Sequence, residues 1–571
     1  MSHHPAKKLL QLLGKVAPGL LTLANYQRSW LSRDLASGIS VAAIALPVGI
    51  AYAVLAGVSP VVGIYSAIFP LFAYAIFGSS RQLMIGPDAA TCIIVAASLA
   101  PLAGGDPVVY TTLLFWLTLM TGVIYLLAGI GKLGFIADFF SQPILTGYLN
   151  GIALLIIVGQ IPQLLGYQSR EDEFSNRILE LITHVNQSHW QTAALGISML
   201  ILILLIRRFF PLLPSAFIVV VIGIALVAGL DLDKAGVSIL GEVPSGLPTI
   251  IFPSFKYDIF DDLFTAASGI MLVSFTSGVL TSKSFAQRNG YEVDANHELI
   301  GFGAGNIASS LAQGFPVTGA DSRTAVNSAM GGKTQLAGVF AGVTMLAVLL
   351  FLTSPLTYVP KSALAAVILV SAVSLFDLAD LRKIFDMNRR EFLLSVTTTL
   401  GVLVLGVLPG VFLAIILSLV WLLKVQSRPN DAILGRVDAK KGFHSMTDYP
   451  EGKTIPGLLI YRFESNIVFY NVGYFKKRIL AAIADQPTPV KWVVVDASPV
   501  NVIDVTALRE ISNLRKSLAA ENISMYSAHV KKDLSRFFSP EFVEERGSKS
   551  FPTLKRAVKA YCTSQSKVSE E

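Results

Sequence analysis

The sequence predicts a polytopic α-helical membrane protein of about fourteen membrane segments, followed by a small α/β domain. Three observations carry this. Of 571 residues, 53% are hydrophobic and only 15% charged, whereas soluble domains carry nearer a quarter, and the mean hydropathy is +0.61. No charged residue lies between Asp34 and Arg81, a length that crosses a bilayer about twice at roughly 20 residues per helix. After Lys424 the apolar runs give way to short β-type runs alternating with helical stretches.

In chain order, residues 1–30 read as a cytosolic lead-in, because MSHHPAKKLLQLLGK is basic but lacks a long apolar core and a small-residue cleavage site. Residues 31–427 form the membrane region. GVSPVVG near Pro60 turns the first pair of spans. Apolar runs then cover 107–131, 139–167, 191–206, 209–230, 263–282, 299–313, 335–353, 362–375 and 392–423, the last folding back at Leu408–Gly410. Two short segments after Gln82 and Gly314 complete the count. Lys7, Lys8, Arg28, Arg33, Arg207, Arg208, Lys283, Arg288, Arg382, Lys383, Arg389 and Arg390 all fall on one side if the crossings are even. The positive-inside rule then puts both termini in the cytoplasm. Residues 428–452 read as a linker. Residues 453–565 read as the α/β domain, with GLLIYRF, IVFY, KWVVVDA and ISMYSA as strands, and 566–571 as a disordered tail.

Several functions are set aside. Cys92 and Cys562 lie far apart in unlike surroundings, and the seven histidines show no ligand spacing, so neither a disulfide framework, a metal site nor a cofactor is expected. The net charge of +7 fits cytoplasmic loops rather than nucleic acid. MGGKT lacks the first glycine of a phosphate loop, since Asn327 stands there. IGFGAGNI follows no strand and is no dinucleotide site. In DANHEL, Asn296 and Glu298 are expected to cap a helix.

Two stretches share one grammar. SSRQLMIGPDAATCIIVA, from Ser79, and GFPVTGADSRTAVNSAMGGKTQ, from Gly314, each give a short extended piece, a Gly/Pro break, an aspartate and a small-residue helix. Paired interrupted segments in the two halves point to an inverted-repeat transporter with its site at the midplane. A helix starting in mid-membrane aims free N–H groups and a positive dipole end inward, which suits an anion. Arg323 adds a fixed charge that costs about 3 kcal/mol in a membrane, while Ser322 and Thr324 offer hydroxyls. Asp88 and Asp321 either cap the helices or carry protons. An ionised aspartate about 6 Å from an anion costs roughly 2–3 kcal/mol per unit charge, more than a helix dipole returns. One of them, Asp88 first, is therefore expected to take up a proton with the anion.

LPVGIAYAVLAGVSPVVGIYS, FGSSRQLMIGPDAA, GYEVDANHELIGFGAGNI and SRTAVNSAMGGKTQLAG together resemble the sulfate permease (SulP) family, which includes the mammalian anion exchangers and prestin. The C-terminal domain resembles a STAS domain. The resemblance implies a seven-plus-seven inverted repeat with core and gate domains, an elevator-like motion and a homodimer. It implies a site formed by Pro47, Val48, Ala51 and Tyr52; by Gly86, Pro87, Asp88 and Ala89; by Phe275 to Gly278, Ser277 among them; and by Gly319, Ala320, Asp321, Ser322, Arg323 and Thr324. Many relatives carry glutamine at Val48, and many proton-coupled ones a carboxylate at Ser277. Asp504 is followed by Val505 where related domains carry a phosphorylated serine, so regulation there by a cytosolic partner rests on neighbouring Thr506 or on the fold. The expectation is a bacterial inner-membrane (plasma-membrane) carrier of a small sulfate-like anion, driven by protons or alternatively Na⁺, and not an enzyme. A bicarbonate or dicarboxylate carrier on the same scaffold and a membrane-anchored anion sensor are the alternatives.

Overall fold

The computed structural model describes residues 17–135, 141–167, 169, 174–211, 213–250, 252–254, 257–438, 440–531 and 550–568; most of the lead-in, up to residue 16, and the last three residues lie outside them. Two compact units divide the chain, Met1–Ser418 and Leu419–Glu571.

Proline and glycine punctuate the first unit as the apolar runs suggest. After α1 (Pro18–Ala24) come α2 (Leu31–Leu55), α3 (Pro60–Phe77), β1 (Ile85–Gly86), α4 (Ala89–Ala103), α5 (Pro107–Ile130), α6 (Gln142–Leu165), α7 (Phe174–His184), α8 (Trp190–Phe209) and α9 (Ser215–Gly229). Then follow α10 (Phe260–Arg288), α11 (Ala295–Leu311), β2 (Thr318–Gly319), α12 (Asp321–Ala329), α13 (Leu336–Phe351), α14 (Lys361–Leu375), α15 (Leu378–Met387), α16 (Arg389–Leu405) and α17 (Val407–Ser427). From α10 the order of α2 to α9 repeats element by element. Among the described residues, seven helices are long and apolar enough to cross a membrane, and four shorter apolar ones accompany them. Ile201, Leu204 and Leu205 on α8 and Ile416, Val420 and Leu423 on α17 stand exposed, a surface suited to lipid rather than water.

Two differences from the sequence reading are local. The last long run breaks at Gly406 (φ 92°), and Pro409 sits in the first turn of α17, where its missing N–H costs nothing. The polar intervals contain α7 and α15, short helices whose apolar residues, such as Leu179, Ile182 and Leu378, stay exposed, the pattern of helices lying in a membrane interface.

The membrane helices form two sets. α2–α5 pack chiefly against α10–α13, and α6, α8, α9, α14 and α16 chiefly against one another; the sets meet mainly where α9 and α14 lie on α2. α5 crosses α11 closely because both offer glycine: a Cβ on Gly303 would sit 2.8 Å from Leu126 and 3.0 Å from the Gly122 carbonyl. Glu298 does not cap α11, which Asp294 does by accepting from Asn296 N–H. Fully buried, Glu298 instead accepts from Tyr74 Oη (2.7 Å), Ser79 Oγ (2.6 Å), Ser79 N (3.1 Å) and Ser80 N (3.0 Å), holding the chain as it enters β1. Asn306 does the same for β2: Oδ1 accepts from Val317 N–H, and Nδ2 donates to Val317 O.

The second unit is a six-stranded sheet, ordered β4 (His444–Ser445), β3 (Asp431–Gly435), β5 (Leu458–Phe463), β6 (Trp492–Asp496), β7 (Ser524–Ala528), β8 (Ser550–Phe551). β5 to β8 run parallel, and β3 is antiparallel to both β4 and β5. The segment expected as a linker thus contributes two strands, because Ala432 and Leu434 bury against the same core as Ile460. One face packs on α18 (Val472–Ala484) and α19 (Val505–Ala520) through Phe463, Phe475 and Leu514; the other packs on α20 (Leu554–Val568) through Ala557 and Tyr561. The expected tail is therefore helical as far as Val568. Burial alone would raise the buried Asp496 carboxyl, but hydrogen bonds from His529, Arg462 and Ser498 N–H hold it below the ordinary carboxylate range.

Candidate anion-binding site

The two breaks meet. β1 and β2 pair antiparallel, Ile85 opposite Gly319 and Gly86 opposite Thr318, so α4 and α12 begin side by side. Ala320 N donates to Met84 O (2.9 Å), and Met84 N donates to Thr324 Oγ1 (3.0 Å). Past the strands, Asn327 Nδ2 donates to Gln82 O, and Gln335 Nε2 to Ser80 O and Leu83 O, each at 2.8 Å. Non-helical backbone at this depth is thereby satisfied within the protein.

Asp88 is the N-cap of α4, its Oδ2 accepting from Ala90 N (3.1 Å) and Thr91 N (3.4 Å). At α12 the cap position is Ala320, which offers no side-chain bond, so the first-turn N–H groups keep their donor capacity. Arg323 is 2% exposed, and its Nη2 donates to Pro87 O at 2.5 Å. Among the described residues no carboxylate pairs with it within 4 Å. Gly86 makes room: its φ is 153°, and a Cβ there would come within 2.5 Å of Arg323 Nη1.

A cavity of about 740 Å³ opens on these tips. Its walls come from both helix sets, with Tyr52, Asp88, Ser277 and Arg323 on one side and Tyr148, Arg207 and Ser371 on the other. Of the residues singled out from sequence, Tyr52, Asp88, Ser277, Gly319, Ala320, Asp321, Ser322 and Arg323 line it, and Val48 with them. Gly86, Ala89 and Thr324 do not: Gly86 backs the guanidinium, Ala89 is buried in the first turn of α4, and the Thr324 hydroxyl accepts from Met84. Phe275 is fully buried against Tyr125 and Phe302, a packing role. Asp321 accepts from the Thr281 hydroxyl of α10.

Sequence reasoning missed three wall residues. Tyr148 is 2% exposed, and its hydroxyl has no partner among the described residues, which costs about 1–3 kcal/mol unless a ligand accepts from it. Arg207 and Arg288 entered the sequence reading only as orientation signals. A helix end without a side-chain cap, an arginine with no carboxylate within 4 Å and a buried hydroxyl without a partner among the described residues together fit a small oxyanion.

The comparisons agree. The sulfate permease family pattern matches residues 31–398 and the STAS domain pattern residues 449–554. The chain belongs to the sulfate permease family; it is a membrane anion transporter with a C-terminal STAS domain, not an enzyme. "Probable sulfate transporter Rv1739c" of Mycobacterium tuberculosis (strain ATCC 25618 / H37Rv) is 40% identical over 547 residues, covering 95% of this chain and 98% of that protein. "Sulfate transporter 4.1, chloroplastic" of Arabidopsis thaliana is 30% identical over 544 residues, covering 92% and 79%. The structure of the murine Solute Carrier 26 family member A9 anion transporter in the inward-facing state superposes with a TM-score of 0.90 at 21% identity, covering 98% of this chain and 95% of that one. The transmembrane domain of the cyanobacterium bicarbonate transporter BicA superposes at 0.60 with 23% identity, covering 69% and 98%. These two likenesses concern the fold.

Proposed function

We propose that this chain is a secondary active carrier of sulfate or a closely similar oxyanion, coupled to protons and working as a homodimer in a bacterial inner membrane, with both termini cytoplasmic. The observation that carries the reading is the union of an uncapped α12 terminus with the carboxylate-free Arg323 guanidinium on one cavity. The names of the sulfate-transporter relatives favour sulfate. Because both helix sets wall the cavity, an elevator-like displacement of α2–α5 and α10–α13 against the other set would change its access. Asp88 is committed to two backbone N–H groups. Asp321 lines the cavity as Asp88 does, but among the described residues its carboxylate accepts only from the Thr281 hydroxyl, so the coupling proton is assigned to Asp321 ahead of Asp88.

The test is radiolabelled sulfate uptake by purified protein in liposomes, with pH and Na⁺ gradients imposed separately and bicarbonate and dicarboxylates run beside sulfate. Accumulation driven by a proton gradient supports the carrier. Preference for bicarbonate or a dicarboxylate moves the substrate, Na⁺ dependence moves the coupling ion, and binding without flux leaves a sensor whose STAS domain signals.

A further inference from the structure

One stripe of α10 continues away from the tips. Ser277, Thr281, Ser284 and Arg288 all line the cavity, at spacings of four, three and four that put them on one helical face. From Ser277 to Arg288 the helix rises about 16 Å. Facing this stripe from the other helix set, α14 contributes Ser371 and Ser374, and α8 ends in Arg207. Arg207 has no hydrogen-bond or ion-pair partner among the described residues, and Arg288 has only the Phe285 ring, 5.2 Å from its guanidinium carbon. The cavity, at about 740 Å³, has the room of roughly 25 waters, far more than one small oxyanion needs. Counting Arg323, three arginines among the described residues line it against two aspartates, Asp88 and Asp321.

We propose that Arg207 and Arg288 form a second, outer anion station, separate from the seat at the half-helix tips and joined to it by the hydroxyl stripe of α10. Thr281, whose hydroxyl donates to Asp321 at the start of α12, precedes Arg288 by about 10 Å of helix rise, and this offset along α10 sets the outer arginines apart from the seat. Each outer arginine comes from a different helix set. The station therefore exists only while those sets face each other as they do here, and relative displacement pulls its halves apart and releases the ion toward one face. This rests on the carrier reading above, which a separate readout tests.

The experiment uses full-length Arg207→Gln/Arg288→Gln in oriented proteoliposomes, with sulfate applied to each membrane face in turn. The expected result is an apparent KM raised about tenfold on one face only, with a flattened dependence on ionic strength, as loss of electrostatic capture requires. Arg207→Lys/Arg288→Lys keeps the charges and should restore the salt dependence. A glutamine variant with KM within twofold of wild type on both faces overturns the station, as does a lysine variant that behaves like glutamine. Equilibrium sulfate binding separates this from the carrier reading. Two ions per wild-type chain, falling to one in the glutamine variant, uphold the station even if wild-type vesicles accumulate nothing, an outcome that would refute the carrier alone; one ion per wild-type chain refutes the station.

Discussion

At the first break Asp88 turns its carboxylate back onto Ala90 and Thr91 N–H. At the second, Ala320 holds the same place with no side chain to offer, the aspartate stands one residue later, and Arg323 follows two residues on. The repeats therefore bring together one closed helix end and one open one. The closed end consumes its own positive potential; a cap of this kind is worth about 1 kcal/mol to its helix. The open end keeps its donors, and the guanidinium beside it is anchored to the other repeat through Pro87 O. A pseudo-symmetric scaffold thus yields an asymmetric pair of tips: in the proposed carrier α12 would hold the anion, while Pro87, just ahead of α4, supplies the carbonyl against which Arg323 is braced.

The comparison breaks most readily at Arg323. Arg323→Gln should weaken sulfate binding by about 2–5 kcal/mol, the range for removing one partner of a buried charge pair, while size-exclusion behaviour stays that of the wild type. Unchanged affinity would shift the seat away from α12. Gly86→Ala comes next. It forces a side chain into a φ of 153° and into the guanidinium, so it should cost roughly 1–3 kcal/mol and weaken binding about tenfold or more with every charge in place. The aspartates sharpen the contrast further: Asp321→Asn should abolish the response of sulfate uptake to an imposed pH gradient, whereas Asp88→Asn should keep it, because asparagine caps as well as aspartate. The reverse outcome would restore Asp88 as the coupling group. Smallest of all, Asp88→Ala should lower thermal stability in detergent by about 1 kcal/mol through loss of the cap.

Hydropathy and punctuation made the helices legible before any coordinates. Pro107, Gly131 and the charge-free run from Leu35 to Ser80 mark boundaries that backbone chemistry enforces. The two breaks were legible for the same reason, since Gly, Pro and Asp in an apolar setting have few uses. Their pairing was not: two-residue strands more than 230 positions apart leave no periodic trace. Nor could sequence tell an aspartate that caps its helix from one that leaves it uncapped, because Asp88 and Asp321 differ by one residue of register against their helices. Glu298 read as a surface cap because it opens a helix, yet four donors from α3 and the following turn bury it. Tyr148 carried no signal at all, since an aromatic on an apolar helix is ordinary packing until its hydroxyl proves unpartnered.

The antiparallel pair of β1 and β2 has a mechanical consequence. Its bonds, with those of Thr324, Asn327 and Gln335, stitch the front and rear halves of the sequence together beside the cavity. Such a cradle resists opening like jaws, since parting the tips would strip several main-chain groups of the partners they find within the protein. In the carrier proposed above, cargo would ride with the cradle as a unit while the other helix set slides past it.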